Sequence, residues 1–291
     1  MYTAYLENSS GEILYLTQSE QEWQVFNIEG LDSPTAAVNV TDIATLDGGK
    51  FNSARLPKRN IVIMLRLNGN VEENRLMIYG MFRTKEPVTF YYANDSLSVK
   101  IDGIIEATSC PIFTNNEVMQ ISIICPDPYF RALDITETSI SNRRPLFEFP
   151  FAINANAPIP FSEYVENRIT SVINDSQTEQ GCIIQIKALP NDLGWVSGVA
   201  ITNADTGDAL IINQQIPENA VVTVNTVKGQ KSVVMKRADG TVLNIFNTVQ
   251  LGSVFFQLAV GVNRFTYTAG GGDQDADVDI VFIQQNKYRG V

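Results

Sequence analysis

The chain has 291 residues and no histidine, and this absence removes several classes of active site. Catalytic triads and Cys-His dyads use histidine as their general base, and imidazole is also a common zinc ligand. Paired carboxylates, as in glycoside hydrolysis, are the main catalytic arrangement that remains. The absence of histidine therefore narrows the range of possible enzymes sharply.

Cysteine and long apolar runs are also scarce. The three cysteines, Cys110, Cys125 and Cys182, lack Cys-x-x-Cys spacing, so buried thiols are expected in place of disulfides or a zinc site. No apolar run approaches the roughly 20 residues of a membrane helix, and the first residues do not resemble a secretory signal. We expect folding in the cytoplasm and no membrane insertion.

Positively charged residues are also few. The chain has 21 Lys and Arg residues and 32 Asp and Glu residues, which gives a net charge of −11. Phosphate binding depends on clustered Lys and Arg, so we expect no specific nucleic-acid binding. An acidic surface that lined a conduit would repel DNA passing through it. Ordinary solubility explains the same charge more simply.

Alternating apolar and polar residues dominate the chain, for example at 222–226 and 278–282, and this period is typical of half-buried strands. Short turn motifs separate such segments. The sequence therefore predicts a mainly β fold of two β-sandwich-like domains. Composition shifts towards Pro, Ser and Thr between Pro126 and Pro145, which places the boundary near residue 135 and the domains at 1–135 and 136–291.

One helix is predicted near residues 71–83, within the first domain. Asn70 can cap its start, Glu72 and Glu73 suit the positive first turn, and Arg83 suits the negative end. Its apolar residues cover a broad face that should pack on a sheet: Leu76, Met77, Ile78, Met81 and Phe82.

Three phrases in the first half carry most of the information: Gly30-Leu-Asp-Ser-Pro34, Asp47-Gly-Gly-Lys-Phe51 running on to Arg59-Asn-Ile-Val-Ile63, and Cys125-Pro-Asp-Pro-Tyr-Phe130. In this order they resemble the amino-terminal domain of the distal tail protein of long-tailed bacteriophages. Four phrases in the second half resemble the same family's carboxy-terminal domain: Phe149-Pro-Phe151, Phe161-Ser-Glu163, Lys231-Ser-Val-Val234 and Tyr288-Arg-Gly-Val291.

The resemblance implies a structural protein of the virion, at the distal end of the tail, which is not an enzyme and holds neither a metal nor a cofactor. Six copies would form a ring that connects the tail tube protein to the tail-tip hub or fibre and to the receptor-binding protein. The amino-terminal domain would close this belt, and the carboxy-terminal domain would be a galectin-like β-sandwich. DNA would pass through the ring without specific binding, and assembly would take place in the host cytoplasm.

The motif residues that the resemblance assigns a structural role are Asp47, Gly48, Phe51, Arg55, Arg59, Cys125, Pro126, Asp127, Pro128 and Tyr129. The basic segment from Arg55 to Arg59 could meet an acidic neighbour across a ring interface, or be a solvated loop. Arg143 and Arg144, beside a proline-rich stretch that reaches Pro160 and is expected to form an extended arm, offer the same two interpretations. We therefore predict these interface residues: Pro34, Arg55, Lys58, Arg59, Arg143 and Arg144.

Two alternatives to a purely structural role remain open. A carbohydrate-binding module would use Trp195, the only tryptophan of the second domain, to stack on a sugar. A wall hydrolase would need a carboxylate pair, for which Asp102 and Glu106 are candidates, although Asp-Gly before an apolar run is first a turn and a strand.

Two other acidic positions have simple structural explanations. Asp127, between two prolines, is expected to accept backbone hydrogen bonds in a tight turn. The acidic run from Asp273 to Asp279 resembles the start of a calcium loop, but Val278 and Gln284 stand where Gly and Glu are needed. An exposed acidic hairpin leading into a strand is expected there.

Overall fold

The computed structural model describes residues 2–17, 22–45, 47–112, 118–140, 143–145, 162–164, 169–270 and 277–291, with backbone alone for 143–145 and 162–164. The chain forms two compact units, residues 1–133 with 287–291 (unit 1) and residues 134–286 (unit 2). The division at 133/134 lies close to the predicted boundary. Residues 287–291, which were predicted to belong to the second domain, lie in unit 1.

The described part of the chain contains twenty-four strands and one α-helix. The strands up to the division are β1 Thr3–Asn8, β2 Ile13–Tyr15, β3 Trp23–Glu29, β4 Ala37–Asp42, β5 Gly49–Arg55, β6 Arg59–Leu67, β7 Pro87–Ala93, β8 Ser98–Ser109, β9 Val118–Cys125 and β10 Phe130–Ala132. The remaining strands are β11 Thr136–Ile140, β12 Arg143–Pro145, β13 Ser162–Tyr164, β14 Thr170–Asn174, β15 Ile183–Ala188, β16 Trp195–Asn203, β17 Ala209–Ile212, β18 Ile216–Pro217, β19 Val221–Asn225, β20 Ser232–Lys236, β21 Val242–Asn244, β22 Gly261–Gly270, β23 Val278–Gln284 and β24 Lys287–Tyr288. A short 3₁₀ turn spans Phe246–Thr248.

Unit 1 is built on a nine-stranded sheet in the order β2-β1-β7-β8-β9-β6-β3, with β10 paired to both β8 and β24. Alternate residues of β6 point inward, and Ile61, Ile63 and Leu65 are fully buried. Leu6 of β1 and Trp23 of β3 lie near opposite ends of the strand order, yet they belong to the same apolar core. The sheet therefore curves around its own apolar face.

The helix, α1, spans Val71–Met81, two residues shorter than predicted. The Asn70 side chain accepts from the backbone N–H of Glu73 at 3.5 Å and donates to its carboxylate at 2.8 Å, which caps the start as expected. Arg83 lies beyond the helix and donates to the carbonyl of Gly80 at 3.2 Å.

The predicted broad apolar face of this helix is only partly buried. Ile78 and Phe82 enter the core, whereas Leu76 and Met77 remain 57% and 40% exposed. The helix therefore contacts the sheet along a narrow stripe. Among the described residues, no helix has the length and apolar character needed to cross a membrane.

Unit 2 contains a six-stranded sheet, β11-β23-β15-β19-β20-β21, and a five-stranded sheet, β14-β22-β16-β17 with β18 on β16. Phe265 of β22 contacts Phe282 of β23 with ring centroids 4.6 Å apart, and both lie in one buried core. The two sheets therefore pack face to face as a β-sandwich. The prediction of a mainly β fold is confirmed, and the strands expected at 222–226 and 278–282 appear as β19 and β23.

Candidate functional site

Strands β4 and β5 form a separate two-stranded sheet, and every residue of both strands is exposed. Asp47 and Gly48 lie in the turn that joins them, where Gly48 has φ +88°, a backbone conformation that glycine adopts without steric cost. We call residues 37–55 the hairpin arm. The phrase Asp47-Gly-Gly-Lys-Phe51 therefore forms the tip of this arm and the start of its second strand.

The hairpin arm has one apolar face. Val38 lies opposite Ala54, and Val40 lies opposite Phe51, with a bulge between the two pairs. Cross-strand partners share a face of a sheet, so these four side chains lie together. Val38, Val40 and Phe51 are 57%, 49% and 62% exposed. Such a patch on a hairpin, which is marginally stable in water by itself, is typical of a surface that another chain covers.

The opposite face of the hairpin arm is polar and basic. Its cross-strand pairs are Ala37 with Arg55, Asn39 with Ser53, and Thr41 with Lys50. Arg55 and Lys58 are exposed at the base of the arm, and Pro34 is half-buried in the segment that leads into it. These three residues remain candidates for a subunit interface.

Arg59 joins the base of the hairpin arm to two other parts of unit 1. The side chain is only 5% exposed. Its Nε donates to the carbonyl of Pro128 at 2.7 Å, and Nη1 donates to the carbonyls of Gly30 and Asp32 at 2.5 and 2.7 Å. Nη2 donates to the carbonyl of Arg289. One guanidinium group therefore holds together the three motif phrases of the first half and the phrase Tyr288-Arg-Gly-Val291.

The electrostatics of Arg59 fit a structural role. Burial lowers the pKa of the guanidinium, while Cys125 and Asp32 act in the opposite direction, and arginine stays protonated in proteins. The guanidinium also lies over the ring of Phe130, 4.7 Å from its centroid. The prediction of Arg59 as an interface residue is therefore corrected: its side chain is enclosed within its own unit.

Two glycines let the backbone segments approach each other around Arg59. Gly30 has φ +85°, and a Cβ atom there would lie 2.1 Å from the carbonyl oxygen of Asn60. A Cβ atom on Gly290 would lie 3.0 Å from backbone atoms of Leu31, Asp32 and Ser33. Glycine is therefore required at position 30, and Gly290 packs tightly against the loop.

The phrase Cys125-Pro-Asp-Pro-Tyr-Phe130 forms the corner between β9 and β10. Asp127 accepts from the backbone N–H of Tyr129 at 3.2 Å, so the predicted turn contact is confirmed. The other carboxylate oxygen of Asp127 lies 3.0 Å from Nζ of Lys287, which also lies 5.4 Å from the ring centroid of Tyr129. Pro126 is exposed at this corner.

Tyrosine side chains line the outer face of the sheet at the β2 end of the strand order, whereas the hairpin arm follows β3 at the other end of that order. Tyr5 of β1 lies opposite Tyr15 of β2 and Tyr91 of β7. Its ring centroid is 5.7 Å from that of Tyr15 and 4.5 Å from that of Tyr91. Tyr15 is 40% exposed. We call these three residues the tyrosine ladder.

Arg143 and Arg144 lie on the short strand β12, which pairs with β13, and their side chains lie outside the described part of the chain. The same holds for most of the proline-rich stretch that ends at Pro160 and for the acidic residues Asp273 and Asp275. The interface role of Arg143 and Arg144, the extended arm and the acidic hairpin therefore stay predictions.

Asp102 and Glu106 do not form a catalytic pair. Asp102 accepts from Thr89 and pairs with Arg131, while Glu106 accepts from the hydroxyl of Ser122 at 2.9 Å. Four residues along a strand span about 13 Å, beyond the separation that glycoside hydrolysis uses. The described residues also contain no group of three or more metal-ligating side chains.

Trp195 opens β16, opposite Pro217 of β18, and is half-buried. One cleft of about 530 Å³ lies in the same unit, but Trp195 does not line it. Its polar wall includes Asp205, whose pKa is lowered by hydrogen bonds from Arg264, 2.6 Å away. These charged groups bind each other, and no aromatic face opens beside them: Phe256 in the cleft is 3% exposed. The arrangement does not favour the sugar-binding alternative.

The three cysteines form no disulfide, and Cys125 and Cys182 are buried, as predicted. Burial raises the pKa of each of these two thiols to about 12. Because the thiolate is the reactive form, a thiol reagent at about pH 8 should modify at most one cysteine of the native protein, Cys110, and all three after denaturation. In a Cys110→Ser variant, the number of cysteines modified in the native protein should fall to zero. Rapid native labelling of two or more thiols would contradict this.

Comparison with known protein families identifies most of unit 2. Residues 185–284 match the family described as siphovirus-type tail component, C-terminal domain. They run from β15 to the end of β23 and include most of the strands that contribute to the core of the sandwich. No curated protein matches the chain by sequence.

Solved structures share the fold over nearly the whole chain. The Dit protein of phage SPP1, described as a paradigm of the hub adsorption apparatus in phages that infect Gram-positive bacteria, has a TM-score of 0.66, with 15% identity over 98% of this chain and 99% of its own. A chain of the activated phage P2 baseplate with calcium has a TM-score of 0.52, with 12% identity over 100% of both chains. Its counterpart with strontium has a TM-score of 0.50, with 11% identity over 98% of both. These matches confirm the predicted resemblance to distal tail proteins.

Proposed function

Because residues 185–284 form a siphovirus-type tail component domain and the whole chain has the fold of a phage hub protein, we propose that it is a structural subunit of the distal end of a phage tail. Six copies form a ring in the virion, which joins the tail tube to the tail-tip hub and the receptor-binding protein. The number six comes from the resemblance to distal tail proteins. The ring assembles in the host cytoplasm, and any chemistry belongs to its partners.

The hairpin arm is the observation that carries this proposal. It extends from the β3–β6 end of the sheet with an apolar face that the rest of the described chain leaves exposed. A head-to-tail interface joins two different surfaces and closes into a ring when the rotation between subunits allows it. The arm of one subunit packs on a different surface of the next.

The size of the hairpin arm shows that it cannot form the whole interface. Seven residues of a strand span about 23 Å, so two strands offer a face of roughly 230 Å². A stable interface buries about 800 Å² on each partner. The body of unit 1 must therefore contribute, and Tyr15 of the tyrosine ladder, which is 40% exposed, offers an aromatic surface on it.

The net charge of −11 suits a ring through which DNA passes. Acidic groups at the lumen repel phosphates and keep passing DNA from binding. The proposal therefore includes no specific nucleic-acid contact.

Solution mass tests the ring directly. Light scattering should give six times 32.2 kDa, about 193 kDa, and negative-stain images of the same peak should show closed rings. The tail tube protein of the same particle, added in excess, should bind the ring peak. A monomer at every concentration, also after addition of the tube protein, would overturn the proposal.

A further inference from the structure

Residues 287–291 return to unit 1 after the chain has completed unit 2. Tyr288 and Lys287 of β24 pair with Phe130 and Arg131 of β10. The side chains of Tyr288 and Val291 pack against the core of unit 1. We call residues 287–291 the return segment.

The return segment lies directly against the loop that leads into the hairpin arm. The backbone N–H of Val291 donates to the carbonyl of Leu31 at 3.1 Å. A Cβ atom on Gly290 would lie 3.0 Å from backbone atoms of residues 31–33, so a side chain there requires the loop to shift by a few tenths of an ångström. The carbonyl of Arg289 accepts from the same guanidinium group that binds the loop.

The carbonyls of the first three loop residues therefore all accept hydrogen bonds, either from Arg59 or from the return segment. Gly30 and Asp32 bind Arg59, and Leu31 binds Val291. Strand β3 ends at Glu29 and β4 begins at Ala37, so residues 30–36 connect the sheet to the arm. The direction in which the arm leaves the sheet depends on this loop and on residues 56–58, which join β5 to β6.

We propose that the return segment is a clamp that fixes the direction of the hairpin arm and thereby makes the subunit competent to form the ring. This inference rests on the proposed ring. Without the clamp the loop keeps its hydrogen bonds to Arg59 but loses its contacts with the return segment. The arm then samples several directions. Ring formation then has to order the arm, and that entropy cost weakens the interface.

Gly290→Val tests the clamp because the three atoms nearest to the new Cβ all belong to the backbone of the loop. The matched control is Gly80→Val, since a Cβ atom on Gly80 has nothing within 4 Å. We expect Gly290→Val to need at least ten times more protein than wild type for half-maximal ring formation by light scattering. Gly80→Val should assemble like wild type.

A second readout does not depend on the ring. Hydrogen exchange on monomeric protein should be at least tenfold faster at the amides of residues 30–36 in Gly290→Val, and also in a variant that lacks residues 287–291. Unit 2 should exchange at the wild-type rate in both. Unchanged exchange in the loop would overturn the clamp.

The two proposals fail in different ways. Normal ring formation by Gly290→Val with wild-type loop exchange would overturn the clamp and leave the ring intact. Absence of a ring in the wild type, whatever the exchange rates, would overturn the proposed function and with it any role of the clamp in assembly.

Discussion

Replacement of Arg59 by alanine is expected to lower the free energy of unfolding of unit 1 by about 3–5 kcal/mol. The side chain is buried and donates to four backbone carbonyls. Its removal leaves these carbonyls without their donors, opens a cavity beside Phe130, and releases the segments that the guanidinium holds together. The loss should therefore be far larger than that of an exposed charge.

The two tryptophans allow this measurement unit by unit. Trp23 lies in the core of unit 1 and donates to the carbonyl of Tyr15 at 2.8 Å, while Trp195 lies in unit 2. In a Trp195→Phe background, urea unfolding followed by fluorescence reports on unit 1 alone. The midpoint should fall in the Arg59→Ala variant with little change in slope.

Two further variants serve as controls for Arg59. Arg59→Lys keeps the charge but lacks the planar guanidinium that binds several carbonyls at once. Its free energy of unfolding should therefore lie between those of wild type and Arg59→Ala. Arg83→Ala removes an exposed arginine with one carbonyl contact and should cost less than about 1 kcal/mol. A loss below about 1 kcal/mol for Arg59→Ala would contradict the structural role.

The double substitution Val40→Ser and Phe51→Ser is expected to abolish the ring. Both residues lie on the apolar face of the hairpin arm, and each contributes about 1.5–3 kcal/mol when fully buried. The same two contacts are lost at every interface of a closed ring. At a concentration at which the wild type sediments as a ring in analytical ultracentrifugation, the variant should sediment as a monomer.

Monomer stability separates this result from misfolding. Val40 and Phe51 are 49% and 62% exposed in the subunit, so the free energy of unfolding reported by Trp23 should stay within about 0.5 kcal/mol of wild type. Lys50→Ser, next to Phe51 on the other face of the arm, is the matched control and should leave ring formation intact. Persistence of the ring in the double variant would show that the apolar face is not buried in the assembly.

The strands and the helix could be predicted because their patterns are local. Val222 and Val224 alternate with polar residues, and Asn70 with Glu73 forms a capping pair within four residues. What these elements pack against was not predictable in the same way. Leu76 and Met77 look like core residues in the sequence, but the helix meets the sheet along a stripe that excludes them.

The role of Arg59 could not be predicted because its partners are distant in sequence. In the segment Arg55-Leu-Pro-Lys-Arg59 it appears as one more basic residue. Its burial depends on Gly30, Pro128 and Arg289, which only the folded sheet brings together. The return segment escaped prediction for a related reason, since a two-residue strand has no periodicity. The family resemblance pointed to these phrases without explaining their contacts.

The return segment also makes unit 2 an insertion within the sequence of unit 1, and this orders events during translation. Residues 134–286 leave the ribosome before residues 287–291, which at typical bacterial rates takes roughly 10–30 s. Throughout that interval a nascent unit 1 lacks β24 and the carbonyl of Arg289. Unit 2 can fold first, and the sheet that carries the hairpin arm is completed last.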